Sequence, residues 1–241
     1  VYEITPYKDN LWLYTNRGLF IFNPLTHQIS EPKTHNPANQ ELITGRVHGV
    51  TLMPNGDLYF VHSDHGVFIY NIDTKIVTRL GGQFAQFEPF LAHGFLPALS
   101  NKPDSPLFFN AGILYQVNPS NLALKMLYKV PKQHENVGIS VLSYLIDNNN
   151  ILWISLSNFG LIGLDASTYQ LVHTIDLEKN KLGTLLYDMV LDDGMIWMSS
   201  HKGIWRLNPE TLHFQQFFIP TDPVKLIGKI VEFHCELKLV N

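Results

Sequence analysis

Six of the arginine, lysine and histidine side chains in this sequence lie where they could together bind an anion. Arginine can grip a carboxylate through two parallel hydrogen bonds, and lysine supplies a compact positive charge. Histidine adds a charge that changes near its unperturbed pKa of about 6.5. The six lie in predicted loops or at predicted strand starts: Arg17, Arg46, His48, His65, His201 and Lys202. If the fold brings them together, they predict a site for a small polar or anionic ligand, such as a carbohydrate or a sugar acid.

The sequence gives weaker support for a metal site or a catalytic nucleophile. His62 and His65 lie on either side of Asp64, but a metal would need further ligands from other segments, so we predict two exposed loop histidines. The only cysteine, Cys235, has His234 beside it, and adjacent strand residues face opposite sides, which argues against a catalytic pair. The sequence contains none of the common nucleophile, zinc-protease or phosphate-loop motifs. We therefore expect no catalytic residues, no metal and no cofactor.

Three aspartates fall in predicted hairpin turns: Asp147, Asp192 and Asp193. Asp is favoured in turns because its side chain hydrogen-bonds the local backbone. Calcium binding is the alternative that the sequence leaves open at these positions.

Composition narrows the class of protein. The chain has 241 residues, of which 45% are hydrophobic and 16% charged, and this is enough for a substantial core. With 17 basic and 21 acidic residues, its net charge is −4. A basic excess that could bind phosphate backbones is missing, so we expect no nucleic-acid partner. No apolar run reaches the roughly 18 residues of a membrane helix.

The elements that would position these side chains come from an internal repeat. Five copies of one turn are spaced 48, 47, 47 and 43 residues apart, and they begin at Asn23, Asn71, Asn118, Asp165 and Asn208. Asn or Asp opens a turn by capping the backbone with its side chain, and a Pro at the next position, present in three copies, presets φ. Five such coincidences indicate a repeated structural unit.

Each unit contains four short, β-rich runs in about 45 residues, the length of a propeller blade. We therefore predict an all-β fold, a β-propeller of four-stranded antiparallel blades, in one domain spanning 1–241. The predicted blades are 1–35, 42–80, 90–131, 137–177 and 183–219, with a partial sixth blade over 224–241. An aromatic residue recurs in the second strand and is expected to be buried between blades: Trp12, Tyr59, Phe108, Trp153 and Trp197.

The repeat resembles that of the two-component regulator propeller family. The segments Asn10-Leu11-Trp12 and Ile151-Leu152-Trp153, followed by a Gly-containing loop and the Asn-Pro-x-Thr turn, are similar to that family's unit. Copies one, four and five match best, and Val231-Glu232-Phe233-His234 is similar to a segment that follows late blades in the family. The resemblance implies a bacterial periplasmic sensor domain, anchored to the inner membrane through other regions and dimeric in the full receptor. It also implies seven blades, so this chain is expected to be either a piece of a longer propeller or a smaller propeller.

Propeller topology predicts where the six anion-binding candidates lie. The loops that enter the innermost strands and the loops that join second to third strands open on one face of a propeller, so the six side chains are predicted to share that face. The function that we expect is non-catalytic ligand sensing for signal transduction. Two alternatives remain open: a metal-dependent lyase or lactonase on a propeller scaffold, and a purely structural platform for protein interactions. The ligand, the output domain (kinase or cyclase) and the blade number stay undetermined.

Overall fold

Twenty β-strands and one short 3₁₀ helix form the regular structure of the described residues. The computed structural model describes residues 3–15, 17–53, 55–82, 84, 92–96, 106–131 and 139–218. The chain divides into two compact units, Val1–Lys129 and Val130–Asn241, and each unit is described by itself.

The first unit holds three four-stranded antiparallel sheets, each with its strands in chain order. Blade 1 consists of β1 (Glu3–Tyr7), β2 (Asn10–Thr15), β3 (Gly18–Asn23) and β4 (Gln28–Ser30). Blade 2 consists of β5 (Val47–Leu52), β6 (Asp57–His62), β7 (Gly66–Asn71) and β8 (Val77–Arg79). Blade 3 consists of β9 (Ala92–Leu96), β10 (Leu107–Asn110), β11 (Ile113–Val117) and β12 (Leu124–Lys129). The 3₁₀ helix, Pro37–Ile43, connects blades 1 and 2.

The second unit holds two further sheets of the same kind. Blade 4 consists of β13 (Val141–Ile146), β14 (Ile151–Leu156), β15 (Gly160–Asp165) and β16 (Leu171–Ile175). Blade 5 consists of β17 (Leu186–Asp192), β18 (Met195–Ser200), β19 (Gly203–Asn208) and β20 (His213–Phe218). The prediction of an all-β propeller fold with five four-stranded antiparallel blades is confirmed, and each sheet lies within the range predicted for its blade. The partial sixth blade, 224–241, lies outside the described residues.

The turn between the third and fourth strands has the predicted capping chemistry in all five blades. In blade 1, Asn23 Oδ1 accepts the backbone N–H groups of Leu25 and Thr26 at 2.9 and 3.0 Å. In blade 4, Asp165 Oδ1 accepts the backbone N–H of Thr168 at 2.7 Å. This hydrogen bond lowers the pKa of the Asp165 carboxyl. The same Oδ1 contact to a backbone N–H occurs at Asn71, Asn118 and Asn208. Turn chemistry thus marks the end of every third strand.

The aromatic residues of the second strand are buried as expected in four of the five blades. The prediction is wrong for the burial of Trp197 and for the position of Phe108. Trp12 is 3% exposed and its ring lies 6.0 Å from that of Tyr70 in blade 2. Trp153 is fully buried in a cluster with Leu186 and Met189 of blade 5. The prediction that Trp197 is equally buried is wrong.

Trp197 is half-buried on a face of blade 5 that it shares with Phe217, which is 48% exposed. The ring centroids are 4.7 Å apart, and the guanidinium of Arg206 lies over both rings, 5.7 Å from the first and 4.9 Å from the second. The sheet that buries Trp153 belongs to the following blade. No following blade is among the described residues, and these ring contacts of Trp197 come from its own sheet.

Phe108 does not occupy the equivalent position, contrary to our prediction. In blade 4, Trp153 pairs with Gly163, two residues before the turn Asp165. In blade 3 the residue two before Asn118 pairs with Leu107, so Leu107 takes the place of the tryptophan. Phe108 is one residue further along and therefore faces the other side of the sheet, where its ring lies 5.2 Å from Phe84.

Candidate ligand-binding loops

Three loop segments of the first unit meet at one place. The segment 44–46, which enters β5, receives the loop after β2 through a backbone bond in which Gly45 N donates to Arg17 O at 3.1 Å. On its other side, Ser63 N of the loop after β6 donates to Arg46 O at 2.9 Å. Topology therefore brings the β2–β3 loop of blade 1 and the β6–β7 loop of blade 2 to the same segment.

Glycine at position 18 makes this close approach possible. Its φ is +108°, and a Cβ placed there would lie 2.6 Å from Thr44 Cα. The two residues also form an isolated antiparallel bridge. Ile43, the last residue of the 3₁₀ helix, is fully buried and anchors the segment from the core side. The loop contact is thus a fixed part of the unit.

His62 ties segment 44–46 to the loop after β6, and the prediction of an exposed loop histidine is wrong. It ends β6, is 3% exposed, and has both ring nitrogens in contact with backbone. Asp64 N donates to Nδ1 at 3.1 Å, so Nδ1 is the unprotonated nitrogen, and the proton on Nε2 points to Thr44 O at 3.0 Å. Gly45 packs against the ring, and a Cβ at that position would lie 3.2 Å from Nε2. An imidazole used in this way is structural, because both of its nitrogens are engaged by the backbone rather than by a metal.

His65 is half-buried, and it was also predicted to be an exposed loop histidine. Its ring centroid lies 4.5 Å from that of His62, and its backbone N–H donates to His62 O at 3.3 Å. Its partial burial gives it less freedom than the exposed arginines nearby.

Arg17 and Arg46 are exposed and supply the charge of this surface. Within the described residues, neither guanidinium takes part in an ion pair or a side-chain hydrogen bond. Lys8 in the same unit differs, because its ammonium binds Asp73 at 2.6 Å, which raises the pKa of Lys8 and lowers that of Asp73. The two arginines are therefore open to an external anion, whereas Lys8 is already used. We call Arg17, Arg46 and His65 the basic loop surface.

His48 is the second residue of β5 and pairs with Val61 across the sheet. Its side chain lies outside the described part of the structure, so its place relative to the basic loop surface stays a prediction.

The remaining two predicted residues belong to the second unit. His201 and Lys202 form the exposed loop between β18 and β19. The His201 ring lies against Gly183, where a Cβ would be 2.4 Å from ring Cε1. Lys202 is fixed through its backbone, since its N–H donates to Ser200 Oγ at 3.1 Å and its carbonyl accepts Gln216 Nε2 at 2.8 Å. A common site of all six residues stays a prediction.

A repeated polar residue, which we did not predict from the sequence, shapes these loops. Thr15, His62 and Ser200 each stand just before the hairpin loop of their blade. Each accepts a backbone N–H two residues on, at 3.0, 3.1 and 3.1 Å. The sequence repeats contain the pattern that would have predicted this contact, a polar residue at the end of an apolar second strand.

Of the three aspartates that the sequence left open for calcium, Asp147 is used locally. Asp147 is 6% exposed, and its Oδ1 accepts the backbone N–H groups of Asn149 and Ile151 while Oδ2 accepts the indole of Trp153. In the described residues, no three His, Cys, Asp or Glu side chains lie close enough together to hold a metal ion. Cys235 lies outside the described residues.

Solved structures with a similar fold include extracellular domains of bacterial signalling proteins. A domain of the candidate hybrid two component system BT4673 from B. thetaiotaomicron matches 92% of this chain at a TM-score of 0.71 and 15% identity. The corresponding domain of BT3049 from the same organism matches 91% of the chain at 0.64 and 20% identity. The chain has the propeller fold of these extracellular domains. It spans 28% of the length of each of them.

A third similar structure is PorZ, a bacterial surface component of the type-IX secretion system of Porphyromonas gingivalis. It matches 91% of this chain at a TM-score of 0.62 and 15% identity, and the chain spans 34% of its length. No family model and no curated protein sequence matches the chain. Across the described residues, the structure has no helix with the length and hydropathy required to cross a membrane.

Proposed function

We propose that this chain is part of an extracytoplasmic propeller that senses a small anionic or hydroxyl-rich ligand for a bacterial signal-transduction protein. The protein would be held in the inner membrane by regions outside this chain, and would act as a homodimer without catalysing a reaction. The fold that it shares with the extracellular domains of BT4673 and BT3049 supports the sensing role.

The observation that carries the ligand assignment is the pair of exposed guanidiniums at the basic loop surface. Arg17 and Arg46 lie on segments joined by the bond from Gly45 N to Arg17 O, and the described residues contain no carboxylate paired with either. Two exposed cations on segments joined by a backbone hydrogen bond favour an anion, because a carboxylate can accept hydrogen bonds from guanidinium groups. His65 adds a hydrogen-bonding ring at the same place.

The test is calorimetric titration of the chain with sugar acids, neutral sugars and amino acids, followed by the same titration of Arg17→Ala/Arg46→Ala. We expect a ligand bound by the parent to lose most of its affinity for the double variant, with no loss of melting temperature. Lys125→Ala is the control, because Lys125 is an exposed basic residue on the outer strand of blade 3. Equal affinity in all three proteins would remove the basic loop surface from the proposal.

Two outcomes distinguish the alternatives. Turnover of a lactone or uronate substrate that requires an added divalent metal would replace sensing by catalysis. Binding of a protein partner through this surface, with no small ligand bound, would indicate an interaction platform.

A further inference from the structure

Arg79 brings a third guanidinium to the loop after β6, although it lies on the outer strand of blade 2. A Cβ added at Gly66 would lie 3.6 Å from Arg79 Nη2 and 3.7 Å from Nε, so the guanidinium lies over the first residue of β7. Gly66 directly follows His65 of the basic loop surface. The side chain of Arg79 is exposed, and it takes part in no ion pair or hydrogen bond within the part of the chain that the structure describes.

Strand register decides which face of blade 2 carries Arg79. Arg79 pairs with Phe68 across β7 and β8, and Phe68 pairs with Phe60 across β6 and β7. Directly paired residues share a face of a sheet, so Arg79 lies on the face of these two rings, which pack against blade 1. The pair formed by His62 and Gly66 lies two residues further along and shares this face.

The His62 ring relates Arg79 to the other two arginines. Gly45 packs against this ring and also donates its N–H to Arg17 O. Arg46 follows Gly45 directly. The three arginines therefore belong to one side of blade 2, where segment 44–46 and the β2–β3 loop meet it.

The charges of these segments favour a ligand with two negative charges. Arg17, Arg46 and Arg79 are offset by one carboxylate in the loop after β6, that of Asp64, which is exposed and makes no ion pair among the described residues. The net charge of the four side chains is +2. A monoanion leaves one of these charges uncompensated, whereas a dianion matches both and can accept parallel hydrogen bonds from more than one guanidinium.

We propose that Arg79 is a further ligand-binding residue of the basic loop surface and that the ligand carries two anionic groups. Arg17 and Arg46 bind one group, and Arg79 binds the second. This inference rests on the anion site of the proposed function and adds the charge of the ligand to it. The sequence repeat offers no reason to select Arg79, because the residue lies on an outer strand rather than in a loop.

Succinate and monomethyl succinate are matched probes, because they share a four-carbon chain and differ by one negative charge. We titrate the full chain with each compound at neutral pH and constant ionic strength, and follow the guanidinium signals by NMR. The parent should bind succinate about tenfold more tightly, the effect of one additional charged contact. Arg79→Ala should bind both compounds alike, with its affinity for the monoester unchanged. Lys125→Ala, the control, should retain the preference of the parent.

Arg79→Lys separates the loss of charge from a disturbed fold. Lysine keeps the positive charge without the planar fork of the guanidinium, so this variant should retain part of the preference for succinate. If Arg79→Ala still prefers succinate, or if the parent binds both compounds equally, the dianion inference is overturned and the proposed anion site stands. A parent that binds neither compound also overturns the inference, and the sugar-acid titration of Arg17→Ala/Arg46→Ala tests the proposed function separately.

Discussion

Trp153 donates its indole N–H to Asp147 Oδ2 at 2.9 Å in the interior of blade 4. Both residues are buried, and the other carboxylate oxygen binds two backbone N–H groups of the β13–β14 turn. One side chain thus ties a hairpin turn to the aromatic residue that packs against the next blade. The three donors replace the hydrogen bonds to water that the buried carboxylate loses on folding.

Asp147→Ala should therefore destabilise the chain by about 2–4 kcal/mol, because three donors lose their acceptor at once. Urea unfolding followed by circular dichroism measures the change. Asp193→Ala is the matched control, since Asp193 lies exposed in the corresponding turn of blade 5. If the control lost as much free energy of unfolding as Asp147→Ala, the buried hydrogen bonds of Asp147 would not account for the loss. Added calcium is expected to leave the unfolding midpoint of the parent unchanged.

Because the β2–β3 loop approaches Thr44 closely, we expect glycine-to-alanine substitutions to destabilise the protein by different amounts. Gly18→Ala combines a positive φ with a Cβ 2.6 Å from backbone and should cost about 2–4 kcal/mol. Gly82→Ala has a φ of +58° but open space, so we expect a loss of about 1 kcal/mol. Gly81→Ala has neither constraint and should stay within about 1 kcal/mol of the parent. Thermal unfolding of the three variants checks the order, and similar losses at Gly18 and Gly82 would show that the loop can move away.

Every third-to-fourth-strand turn ends in a non-glycine residue with left-handed backbone: His27, Lys75, Leu122, Tyr169 and Leu212. Lys75, with φ +60°, is exposed. Lys75→Gly should stabilise by up to about 1 kcal/mol, because it relieves about 1–2 kcal/mol of strain and costs about 0.5–1 kcal/mol of chain entropy. Lys75→Ala removes the same charge and retains the strain, so it should give no gain. Differential scanning calorimetry compares the two, and a gain in both would assign the effect to charge.

Alkaline pH should weaken the first unit through Tyr70. This residue is 2% exposed, its hydroxyl donates to Lys33 O at 3.0 Å, and burial raises its pKa to about 12. The unfolded chain ionises first, near pH 10, so the stabilisation is complete below pH 10 and is lost as pH rises towards 12. The loss is on the order of 2–3 kcal/mol for a shift of this size. Urea midpoints of the parent and of Tyr70→Phe across this range measure it.

Tyr70→Phe should show a shallower decline above pH 10 than the parent. A residual decline is expected, because burial also raises the pKa of Tyr59 to about 12. Identical slopes in the two proteins would show that Tyr70 ionises freely in the folded chain.

The sequence alone determined the blades, because their signals are local. An Asn or Asp that caps its own turn, as Asn23 and Asp165 do, is written within a few residues, and alternation of apolar side chains needs only one strand. The five turn positions therefore predicted where each four-stranded sheet lies. They also placed Arg17 and Arg46 in loops that the fold joins through Gly45.

Only the tertiary structure decided which side chains are used in packing and which stay accessible. His62 looked like a loop residue, yet its ring is buried because Thr44 and Gly45, distant in sequence, close over it. In blade 3, Leu107 rather than Phe108 pairs with the residue two before the turn, so Phe108 faces the opposite side of the sheet. Trp197 is only half-buried whereas Trp153 is fully buried, and the strand pattern does not distinguish the two. Register and contacts between blades arise from hydrogen bonds and packing across many residues, so no local pattern contains them.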